Sequence, residues 1–145
     1  MTTHSPWRGL GAVGLRLADV AARYVLAYLA AWLAVGLTTP RVTDSWQDPS
    51  EFPSRGALVL EHLGFALDMV WVIAVPSVLI SWLCALFGER TGTAFRARLA
   101  GLLLLPLWFL LFASTAHMLL FLALGHLVFA LVVMPVPLMP AHGSR

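Results

Sequence analysis

Long apolar blocks separated by short polar ones dominate the chain, and the longest, residues 99–140, contains no Asp, Glu, Lys or Arg. As one α-helix at 1.5 Å per residue this block would reach about 60 Å, twice the roughly 30 Å hydrocarbon thickness of a bilayer, so it has to fold back. Its densest polar cluster, Ser114-Thr115-Ala116-His117, marks the turn and predicts two spans, 94–113 and 117–136, joined as a tight hairpin. Pro106 lies inside the first of these, and Pro135, Pro137 and Pro140 close the second.

Upstream, a first span is predicted over residues 20–39, stopped by Pro40, behind a leader in which Leu10, Val13, Leu17 and Val20 form an apolar stripe. Arg16, Asp19 and Arg23 recur at spacings of three and four, so they share a helix face and pair along it. The strictly apolar stretch from Tyr24 to Leu37 has the length of a signal-peptide core, but Tyr24, Tyr28 and Trp32 suit a retained span with interfacial aromatics. Ala27, Ala30, Ala31 and Ala34 make overlapping small-xxx-small pairs, a face that a second helix, in this chain or another copy, can approach closely.

Residues 40–55 form the one sizeable polar loop, with Asp44, Asp48 and Glu51; Asp48-Pro49-Ser50-Glu51 has the form of a capping box. The next span, 57–87, is unusually long, carries Glu61, His62 and Asp68 in its first half, and is expected to kink at Pro76 before Gly88 ends it. Residues 88–98, GERTGTAFRAR, read as a short basic loop. Arg8, Arg16, Arg23, Arg90, Arg96 and Arg98 fall on the side of the leader and this loop, against Arg41 and Arg55 with the three acids of the other loop. By the positive-inside rule 40–55 is extracytoplasmic, 88–98 is cytoplasmic, and both termini are cytoplasmic.

Composition agrees with this pattern. The 145 residues are 60% hydrophobic and only 11% charged, with mean hydropathy +0.86, so lipid is the expected solvent and one all-α domain of four transmembrane helices uses up the chain. The net charge of +2 rests on dispersed arginines, since there is no lysine, and lacks the basic stripe with interleaved aromatics of a nucleic-acid binder. A single cysteine, Cys84, excludes an intrachain disulfide and Cys-rich metal sites.

Candidate chemistry is confined to a polar intramembrane cluster. Glu61 and Asp68 are seven residues apart, hence on one helical face, and the predicted topology sets Glu61 and His62 near the depth of His117 and Asp68 near that of His126. Carboxylates and imidazoles relay protons or hold zinc-like metals, but no H-x-x-x-H, E-x-x-H or H-E-x-x-H pattern is present, so no metal or other cofactor is assigned. The plainer expectation is an Asp68–His126 hydrogen bond tying two helices. His62 with His126 is the one pair geometrically suited to a haem. Ser81 and Cys84 fall away from every histidine of the spans.

These features lead to an expectation of a bacterial inner-membrane protein without catalysis of its own, an accessory, assembly or immunity-type partner of a larger membrane system, in contact with the lipid bilayer and possessing a face suited to self-association. The alternatives are a small proton- or metal-linked transporter using the Glu/Asp/His cluster and a haem-binding redox subunit.

Overall fold

In the computed structural model, which describes residues 6–40, 54–87, 92–112 and 115–134, every regular element is helical and no strand occurs among the described residues. The loop acids Asp44, Asp48 and Glu51, the capping box, Gly88 and the three closing prolines lie outside these residues.

Helix α1, Pro6–Thr38, runs without interruption through what the sequence suggested as a leader and a span. No proline interrupts it after Pro6, and Pro40, which cannot continue a helix, follows two residues past its end. One stripe is buried, Val20, Tyr24, Tyr28, Ala31 and Val35 at spacings of three and four, with Trp32 beside it. Tyr24, Tyr28 and Trp32 therefore belong to the core and not to an interface: they are 1%, 4% and 0% exposed. Their rings form a ladder that continues into Phe65 and Phe129, with centroid separations of 5.2–6.2 Å.

Helix α2, Arg55–Asp68, starts at Ser54, whose hydroxyl accepts from Ala57 N at 3.1 Å. A π-turn, Val70–Ala74, leads into α3, Val75–Phe87, and the axis bends by 55° between Asp68 and Val70, ahead of the π-turn. The bend lies about two turns ahead of Pro76, earlier than a simple proline kink. Pro76 has no N–H for either Val72 or Trp71, and the backbone in front of it rewinds so that Val75 N reaches Val70 O. Tyr28 of α1 donates to Ala66 O at 2.7 Å, just before the break.

Helix α4, Thr93–Leu103, begins at Gly92 (φ 131°, ψ −168°), so Arg96 and Arg98 stand on a helix and not in a loop. It continues as a 3₁₀ helix, Leu105–Phe112, with the switch flanking Pro106. Eleven residues at 1.5 Å and eight at about 2.0 Å extend over roughly 32 Å, close to a bilayer's hydrocarbon thickness. Helix α5, Ala116–Val128, is capped by Thr115, whose Oγ1 accepts from Met118 N at 3.3 Å, and ends in a second π-turn, Phe129–Val133.

Side chains at the helix ends establish the order of packing. The end of α1 meets the starts of α2 and α5: Arg55 donates to Thr39 O and Gly36 O, His62 Nε2 lies 3.4 Å from Thr39 Oγ1, and His117 Nε2 lies 3.0 Å from Thr38 Oγ1. At the other end Trp82 of α3 donates to Leu17 O at 2.9 Å, and Arg96 of α4 to Leu131 O at 3.0 Å. Successive rods therefore run antiparallel. Two close approaches set the spacing: a Cβ on Gly36 would lie 2.8 Å from Val59 Cα of α2, and one on Gly125 of α5 would lie 2.8 Å from Ala31 Cβ. Three segments are long and apolar enough to cross a membrane, Val13–Thr38, Thr93–Leu111 and Ala116–Val133, with a fourth if the bent pair counts as one crossing.

Candidate functional site

The polar side chains of the sequence cluster separate into three places. Glu61, His62 and Asp68 line a laterally open groove of about 530 Å³ along α2, faced by Thr115 and Met118 from the start of α5. The two carboxylates are exposed, and none of the described residues supplies a hydrogen bond or a cation to either. Their seven-residue spacing puts them on one face, with Gly64 and Phe65 between them leaving the groove open.

The second place is the end of α1. His62 donates Nδ1–H to Leu58 O of its own helix at 2.7 Å, a contact that fixes this ring nitrogen as a donor because a carbonyl only accepts. Its other nitrogen points to Thr39. The Thr38 hydroxyl donates to Ala34 O at 2.6 Å, so it accepts from His117 Nε2–H. With Arg55 bonded to the carbonyls of Gly36 and Thr39, three side chains from α2 and α5 gather at the negative end of the α1 dipole. His62 and His117 thus share a level, but they meet through α1 and not through a common ligand.

His126 occupies the third place, deep in the core at 3% exposure. Its Nδ1–H donates to Leu122 O at 2.7 Å, which makes Nε2 the acceptor of the neutral ring; Tyr24 O–H donates to it at 2.8 Å, and Ser77 Oγ stands 3.4 Å away. Ser81 Oγ donates to Ser77 O at 2.8 Å. The knot joins α1, α3 and α5, and Tyr24, Ser77, Ser81 and His126 are all nearly inaccessible. A hydroxyl beside an imidazole is the pairing used in nucleophilic catalysis. Here the imidazole lone pair is taken by Tyr24 and no substrate path reaches Ser77, so the arrangement ties helices together.

Several sequence expectations need correction on these grounds. Asp68 does not bond His126: it faces the open groove, whereas His126 is held by Tyr24, Ser77 and Leu122 O. His62 and His126 point at different partners, Thr39 and Tyr24, and do not face one another across a common space. The serine beside a histidine is Ser77, one turn before Ser81: Ser77 Oγ stands 3.4 Å from His126 Nε2, while Ser81 bonds only the Ser77 carbonyl. Tyr24 and Ser77 are the core polar residues that sequence reasoning missed. Their signal was the i, i+4 pairing of Tyr24 with Tyr28 and of Ser77 with Ser81 inside apolar stretches, which places each pair on one buried face.

The alanine face also divides. Ala27 and Ala31 meet Gly125 of α5, so a helix of this chain uses part of that face. All four alanines border one apolar groove of about 560 Å³ between α1 and α5, in which Ala30 is the exposed member, and Arg23 lies at one end. Arg23 Nε pairs with Asp19 at 2.9 Å, an exposed i, i+4 bridge. Among the described residues no group of three or more His, Cys, Asp or Glu is placed to hold a metal ion. No protein-family model, no curated protein and no solved structure matches this chain.

Proposed function

We propose that the chain is an integral membrane protein with four spanning helices and cytoplasmic termini, which acts as a non-enzymatic accessory, assembly or immunity-type partner of a larger system in a bacterial inner membrane. The observation that carries this reading is the groove of Glu61 and Asp68. A carboxylate within a span is expensive unless it is paired or wet, and these two face outward beside Thr115 and Met118 with no cation among the described residues. A partner helix or loop that brings donors or a basic side chain to the groove satisfies both at once. The bent α2–α3 pair supports counting it as one crossing, because it starts beside the end of α1 and finishes beside Leu17 near the other end.

Tagged full-length chain isolated from native membranes should co-purify with a defined partner, and Glu61→Gln/Asp68→Asn should release it while leaving the chain folded. Purification only as a lone monomer with intrinsic activity refutes the reading. Topology is tested separately: tags at Met1 and Arg145 should both report cytoplasm, and Ser45→Cys in a Cys84→Ser background should label from outside. A small transporter is the second reading, favoured by the one groove that gathers Glu61, His62 and Asp68. Proton or divalent-metal flux into liposomes containing the purified chain, abolished by Asp68→Asn, would establish it in place of the first.

A further inference from the structure

The groove between α1 and α5 differs from the acidic one in shape and in chemistry. Ala27, Ala30 and Ala34 form one wall, and Phe121 and Gly125 stand on the other. The close contact of Ala31 with Gly125 makes its floor, since two small residues let the helices approach while the alanines beside them leave a trough. Arg23 is the one charged residue in the lining, and it sits at one extremity. Only its Nε engages Asp19; its two terminal nitrogens have no partner among the described residues. Arg96 and Arg98 start α4 at the same end of the packed helices, where Arg96 holds Leu131 O.

We propose that this groove seats one acyl chain of an anionic phospholipid, with the lipid phosphate held by the terminal nitrogens of Arg23. The inference rests on the membrane placement proposed above. Length is the first support: from Arg23 to Ala34, eleven rises of 1.5 Å make about 16 Å, half of the roughly 30 Å hydrocarbon thickness and therefore the depth of one leaflet. Lining is the second: Leu26, Phe121, Leu124 and Val128 stand beside the alanines, so the trough is apolar along its length, as a hydrocarbon chain requires. Charge is the third, because an apolar trough ending in a half-free guanidinium complements an anionic head on an apolar tail.

The test is lipid retention by the full-length chain, extracted in mild detergent and followed by native mass spectrometry with added phosphatidylglycerol or phosphatidylcholine. One phosphatidylglycerol per chain should be retained, preferred over phosphatidylcholine by about fivefold, the effect expected of one arginine near an anionic surface. Arg23→Gln should abolish the preference, and Ala30→Phe, at an exposed position, should displace the lipid by filling the trough, whereas Leu79→Phe on α3 should change nothing. Equal retention of the two lipids by the unaltered chain, or retention unchanged in both groove variants, overturns the proposal. So does an Ala30→Cys chain that cross-links to a second copy in native membranes. A chain stripped from membranes by alkaline carbonate instead refutes the membrane placement itself, a result distinct from loss of lipid selectivity.

Discussion

Gly36→Ala tests the closest backbone approach in the protein. The added Cβ would lie 2.8 Å from Val59 Cα, 3.3 Å from Val59 Cγ2 and 3.4 Å from Leu58 O, so its nearest obstacle is backbone that no rotamer change can move. Relief requires α1 and α2 to separate by about 1 Å, enough to restore an ordinary carbon–carbon contact of about 3.5–4.0 Å. Overpacking of this kind costs about 1–3 kcal/mol, against which alanine recovers up to about 1 kcal/mol of helix propensity, so a net loss of up to about 2 kcal/mol is expected, and about 1–3 kcal/mol relative to a glycine-to-alanine change without the clash. Separation would also strain the Arg55 bonds to Gly36 O and Thr39 O. Reversible unfolding in mixed micelles provides the assay, with Gly64→Ala as reference because a Cβ there meets nothing within 4 Å. Val59→Ala should fail to rescue Gly36→Ala, since it removes Cγ2 but not Cα. A Gly36→Ala protein as stable as Gly64→Ala, or one rescued by Val59→Ala, would refute the packing described here.

Tyr24→Phe removes the donor to His126 Nε2 and leaves only the 3.4 Å Ser77 contact; unfolding in micelles should show a loss of about 0.6–2 kcal/mol, the scale of intramembrane hydrogen bonds. Asp68→Leu should leave the stability of the isolated chain unchanged or raise it, measured by the same unfolding, because the carboxylate makes no bond to the described residues; a loss near 1 kcal/mol would restore the Asp68–His126 link expected from sequence. Gly92→Ala places a side chain at φ 131°, ψ −168°, a region essentially confined to glycine, and should destabilise the start of α4 by about 1–3 kcal/mol, seen as faster amide exchange over Thr93–Leu103.

How much of the candidate site could be read in advance depends on the kind of contact. Glu61 and Asp68 share a face because seven residues make two helical turns, and that relation needs no tertiary structure. The depth matching that set Asp68 beside His126 considered only height along the membrane normal. It left the rotation of α5 about its axis undetermined, and that rotation turns His126 inward to Tyr24 and Ser77. The aromatic residues of α1 illustrate the same limit. Tyr and Trp gather at membrane interfaces as a rule, but with spacings of three and four on a single stripe they also make a buried ladder, and only the neighbouring Phe65 and Phe129 select that outcome.

The sequence by itself determined the all-helical character and the apolar segments, because backbone polar groups in such composition are satisfied most readily within a helix, and hydropathy, proline and small-residue spacing are local properties. Tertiary structure alone decided where α2 and α3 bend, which part of the alanine face is used inside the chain, and how the polar residues divide among a groove, a helix end and the core. Each of these depends on the azimuth at which one helix meets another. Azimuth is set by contacts between residues far apart in sequence, Gly36 with Val59, Ala31 with Gly125 and Tyr24 with His126, and no pattern within one segment encodes it.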